Sequence, residues 1–113
     1  MDNNHLYILW TNESLETSIN MVIMYAKASL LKKWWDKVTV IVWGDTIKLV
    51  AENQQIQQEI NKAKHVGVEF SGCLACATNL NVVEKLKVFN LDLKYWGEDL
   101  TSLIKNKNHL ISV

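Results

Sequence analysis

Val38-Thr39-Val40-Ile41-Val42-Trp43 is the segment that most limits what this chain can become. It is β-branched almost throughout and ends at Gly44-Asp45, the pattern of a strand covered by side chains on both faces. Such a strand implies a parallel sheet, whose connections carry helices. The rest of the chain reads accordingly. Leu6–Trp10 is a continuous apolar run, and Thr11-Asn12-Glu13-Ser14 supplies turn and N-cap chemistry before a helix. In that helix Leu15, Ile19, Val22, Ile23, Ala26 and Leu30 recur on one face. Ile47, Val50, Ala51, Ile56, Ile60 and Ala63 mark a second helix, and Val66–Phe70 a short strand running into Gly72-Cys73. Val82, Val83, Leu86 and Phe89 mark a third helix; Leu91–Trp96 alternates as a half-buried strand does. Gly97-Glu98-Asp99 opens a last helix, and His109–Val113 is a closing strand.

Five strands alternating with four helices predict one α/β domain over residues 1–113: a flavodoxin-like three-layer α/β/α fold with a parallel sheet in the order 2-1-3-4-5. In such sheets chemistry lies beyond the carboxyl ends of the strands at the switch point, which that order puts between strands one and three. Trp10 and Asn12 stand at one of those ends, Gly72 and Cys73 at the other.

The chain balances twelve lysines against twelve acidic residues and has no arginine. With no net positive field and no guanidinium fork, nucleic acid is not an expected partner. No apolar run reaches the roughly 18 residues of a membrane span, and Met1-Asp2-Asn3-Asn4-His5 lacks signal-peptide character, so a cytoplasmic protein is expected. There is no GxGxxG or GxxxxGK segment and no cofactor is predicted. Two cysteines fall short of a zinc site, and His5, His65 and His109 each precede a predicted strand, at the edge opposite the cysteines; no metal is predicted.

The chemistry concentrates in Ser71-Gly72-Cys73-Leu74-Ala75-Cys76. If a helix starts there, both sulfurs sit near its positive end, where a thiolate is stabilised, and the spacing permits an internal disulfide. The bland reading is that both are small buried hydrophobes. Trp10, Trp43 and Trp96 fall at the carboxyl ends of predicted strands, either walling a thiol site or packing in the core or between subunits.

Through Leu6–Asn12, Val38–Gly44, Gly72–Cys76 and Lys94-Tyr95-Trp96-Gly97-Glu98, the chain resembles the DsrE/DsrF-like family of small sulfur-relay proteins over essentially its whole length. It is most similar to the stand-alone DsrE-like members with a double-cysteine segment. The resemblance implies a homo-oligomer, trimer or hexamer, and sulfur donor and acceptor proteins as partners. It also implies a persulfide carried on Cys73, with Cys76 as second thiol. Many relatives follow the cysteines with Arg-Gly, where this chain has Ala77-Thr78-Asn79. The expected function is a sulfur carrier using Cys73 and Cys76, with Asn12, Trp10, Trp43, Gly72 and Trp96 around the site. The alternatives are a non-catalytic oligomeric binding module for a small ligand and a thiol-disulfide redox switch.

Overall fold

In the computed structural model, which describes residues 4–113, five parallel strands form one sheet in the order β4-β3-β2-β1-β5. The strands are β1 His5–Trp10, β2 Lys37–Val42, β3 Glu69–Cys73, β4 Asp92–Lys94 and β5 His109–Ser112. Residues 1–3, part of the segment read above for signal-peptide character, lie outside the described residues.

The α/β class with helices flanking a five-stranded parallel sheet matches the expectation, but the order 2-1-3-4-5 does not. That order would have made β2 an edge strand. Val38, Val40, Ile41 and Val42 are all fully buried, which only a central strand allows. The edges are instead the short β4 and β5, whose residues are exposed or half-buried. The point where the order reverses therefore lies between β1 and β5, not between β1 and β3.

This topology makes the two faces unequal. The steps from β1 to β2, β3 and β4 all move the same way, so right-handed crossovers stack their helices on one face. These helices begin with α1 Leu15–Thr17, which passes through a π-helical stretch, Ser18–Ile23, into α2 Met24–Leu31. Then come α3 Thr46–Glu52, α4 Gln54–Val66, α5 Leu74–Asn79 and α6 Val83–Phe89. Their apolar sides meet Leu6, Ile8 and Trp10 of β1 and Val38, Val40 and Val42 of β2 in the main core. Only the crossover from β4 back to β5 reaches the other face, with α7 Gly97–Lys105, whose Leu103 borders one small cavity with Tyr7 and Trp96. Ile41, Cys73 and Trp96 are buried but stand outside the main core.

Two boundaries differ from the sequence reading. The second predicted helix is broken at Asn53, an extended residue (φ −102°, ψ 113°) whose side chain caps α4 by accepting the N–H of Ile56 at 2.9 Å. That helix then runs on to Val66 and ends at Gly67, left-handed with φ 118°, so the predicted start of the third strand belongs to the helix and its cap. No helix among the described residues is long and apolar enough to cross a membrane.

Candidate functional site

β3 carries Phe70, Ser71, Gly72 and Cys73 into the sheet interior, and Cys73 is also the N-cap of α5. Its extended backbone turns the chain, and its Sγ accepts the backbone N–H of Cys76 at 3.4 Å, the role a serine or aspartate oxygen usually plays. Both cysteines are free thiols. Cys73 is 3% exposed, whereas Cys76 is half-buried, so the second cysteine of the pair is the more accessible one. Burial pushes the Cys76 thiol above its ordinary pKa, helped by its hydrogen bond with Cys73. The backbone N–H of Gly44, in the left-handed turn after β2, pulls the other way. The pair is thus two neighbouring sulfurs of unequal access, approached by backbone amides.

The other residues singled out in the sequence serve different parts of the molecule. Trp10 is fully buried in the core, and its indole N–H donates to Ser18 Oγ at 3.0 Å and Asn12 O at 3.1 Å. Asn12 Oδ1 accepts the N–H of Ser14 at 2.8 Å, holding the entry to α1. A Cβ added to Gly72 would lie 2.9–3.0 Å from Leu91, Ile47 and Leu93, so this glycine is explained by close packing. Trp43 is half-buried, and its backbone N–H donates to Trp10 O at 3.1 Å. Trp96 is 5% exposed and reaches back over β3, donating to Ser71 Oγ at 2.9 Å. Asn12 and Cys73 are not neighbours, since β2 runs between their strands. At the reversal point, Thr11 ties β1 to β5 through its N–H and hydroxyl, both donated to Val113 O. A cavity of about 540 Å³ at this edge is lined by Asp45, Lys48, Glu52 and neighbours, without either cysteine.

Sequence reasoning missed the face of the sheet that carries α7 alone. There His5 and Tyr7 stack with ring centroids 4.0 Å apart. Thr39 Oγ1 donates to Glu69 Oε1 at 3.0 Å, so the Nε2 of His5, 2.8 Å from the same hydroxyl, is the donor to it. Ser71 Oγ donates to Asp92 Oδ2 at 2.9 Å. These residues border a groove of about 650 Å³. The signal is present in the sequence: polar side chains recur at alternate positions of β1, β2 and β3 on the side away from the apolar core. His5 therefore belongs to a bonded row rather than to an idle edge. Among the described residues no three His, Cys, Asp or Glu side chains gather as a metal site.

The chain superposes with a TM-score of 0.94 on the solved structure of BT1422, a conserved protein of unknown function from Bacteroides thetaiotaomicron. The two are 34% identical over 98% of this chain and 96% of that one. The chain belongs to the family of that protein. No family model matches it, and no curated protein does.

Proposed function

We propose that the chain is a cytoplasmic dithiol sulfur carrier of the DsrE-like type. The observation that carries this reading is the contact of 3.4 Å from the Cys76 N–H to the Cys73 Sγ, which holds two reduced thiols of unequal exposure side by side at a strand end. The resemblance assigns the carried sulfur to Cys73; the greater exposure of Cys76 makes it the thiol a donor meets first. A Cys76 thiolate attacks the outer sulfur of a donor R–S–SH, the S–S bond breaks, and R–S⁻ leaves and takes up the proton that Cys76 gave up on ionising, giving Cys76–S–SH and R–SH. Attack by an acceptor thiol on the outer sulfur passes it on and restores Cys76. Attack by Cys73 on the inner sulfur instead releases hydrogen sulfide and leaves a Cys73–Cys76 disulfide. In place of the arginine found in many relatives, the N–H groups of Gly44 and Cys76 provide the positive dipoles beside the sulfurs.

Assembly belongs to the same reading. Met24, Leu31 and Trp34, exposed by 52%, 67% and 53%, lie along α2 and its exit, a surface that further copies in a trimer or hexamer would cover.

Intact-protein mass spectrometry after incubation with a cysteine desulfurase and cysteine tests the function. A gain of one sulfur that reductant reverses is the expected result. A disulfide alone favours a redox switch, and no change favours a binding module; either defeats the carrier.

A further inference from the structure

We propose that the groove beside α7 on the second sheet face binds a small zwitterion of the aromatic α-amino-acid type, with its ammonium group at Glu69 and Asp92 and its carboxylate at the surrounding lysines. This site is separate from the thiol pair and does not rest on the sulfur-carrier reading.

The floor of the groove is ordered. Thr39 and Ser71 are only 7% and 6% exposed, and each spends its single hydroxyl proton on a carboxylate, fixing Glu69 and Asp92 in place. Among the described residues, Glu69 Oε2 and Asp92 Oδ1 accept no hydrogen bond, so each carboxylate keeps an oxygen for a ligand. The two residues lie on adjacent strands, Asp92 being paired with Ser71, two positions beyond Glu69. That puts them within about 8 Å, the diagonal spacing across neighbouring strands.

Lys37, Lys64 and Lys94 also line the groove. Lys37 lies 3.8 Å from Glu69, Lys64 donates to Asn90 O at 3.3 Å, and Lys94 is bound by Asp99. An ammonium has three donors, so all three lysines retain capacity.

Ligand class follows from this mixture of charges. A simple anion meets two carboxylates, a simple cation meets three lysines, and an apolar molecule strips water from all five without replacing it. A molecule carrying both charges satisfies both sets. The stacked, half-buried His5–Tyr7 rings supply flat apolar surface for an aromatic side chain. The volume falls within the range of small-molecule sites, roughly 300–1,000 Å³.

The test titrates the full chain with L-phenylalanine, 3-phenylpropionate and 2-phenylethylamine, reading backbone amide shifts by NMR. Saturable binding of phenylalanine, at least about tenfold tighter than either single-charge analogue, is expected, with shifts centred on Tyr7, Thr39 and Ser71. Glu69→Gln combined with Asp92→Asn should erase the preference over 3-phenylpropionate, while Cys73→Ser with Cys76→Ser should leave binding unchanged. Equal affinity for all three compounds, no saturation by phenylalanine up to about 10 mM, or shifts centred on Asp45 and Lys48 would overturn the proposal. The comparison of the three ligands on the unaltered chain decides even if a variant fails to fold.

Discussion

The indole N–H of Trp96 donates to the hydroxyl of Ser71 at 2.9 Å, and that hydroxyl donates in turn to Asp92 at 2.9 Å. This relay fastens the entry of α7 to the middle of β3. It matters because α7 has no fully buried residue of its own and sits alone on its face of the sheet. With only the half-buried Leu100 and Leu103 on its apolar side, its attachment leans on this polar relay more than that of the other helices does.

Ser71→Ala should cost about 1–3 kcal/mol of stability, because it leaves the buried Trp96 N–H without its acceptor. Urea unfolding gives the magnitude. Hydrogen exchange gives the location: amides of Gly97–Lys105 should exchange faster while those of β2 stay protected. Unchanged protection in α7 would show that the helix is held by something other than this relay.

Gly72 tests whether a residue beside the thiols is there for chemistry or for packing. A Cβ would press on the side-chain ends of Leu91, Ile47 and Leu93 at 2.9–3.0 Å, and overpacking of this kind costs typically about 1–3 kcal/mol. Gly72→Ala should lower the unfolding free energy by that amount while the remaining folded protein still takes up one sulfur. Loss of sulfur loading without loss of stability would give Gly72 a direct role at the site.

The elements legible in the sequence are those with one clear period. The run Val38–Val42 marks a strand covered on both faces, and the turn chemistry after Trp10 marks the helix that follows. Strand order is not carried by period, because every β-helix-β unit looks alike whichever way it steps. Edge logic is the missing step: an all-apolar strand belongs inside a sheet, and β4, with Asp92 and Lys94 exposed, belongs at its rim. Val66-Gly67-Val68 imitates strand because its apolar residues continue into Glu69-Phe70, but Gly67 in the left-handed region is a helix cap. At the site, the cysteine spacing and the helix start at Leu74 are legible. Which sulfur is shielded is not, since it depends on how α5 packs against the strand ends.

Assembly is checked by light scattering. With Met24, Leu31 and Trp34 exposed on one side of α2 and its exit, a mass of three or six times 13.0 kDa is expected at micromolar concentration. Leu31→Glu, which puts a charge into that patch, should shift the mass toward 13.0 kDa without changing the circular dichroism. A monomer before any substitution removes the need for a covered patch.

The last prediction separates the two thiols by access and by pH. Cys76 is the half-buried sulfur and Cys73 is 3% exposed, so iodoacetamide should label the folded Cys73→Ser protein, which keeps Cys76, and spare the folded Cys76→Ser protein. Labelling of Cys76 should be slow at neutral pH, because burial, the main cause of its raised pKa, holds the thiol protonated in that variant too. The same shift fixes the sign of a stability effect. Below the ordinary thiol pKa of about 8.5 both the folded and the unfolded chain keep this proton, and the contribution to stability is fully present. Between that value and the raised one, the unfolded chain loses the proton while the folded chain retains it, so stability falls as pH rises. Urea midpoints from pH 7 to 10 should therefore decline more steeply in the unaltered protein than in Cys76→Ser. Parallel declines, or faster labelling of Cys73 than of Cys76 in the folded state, would return the leading role to Cys73.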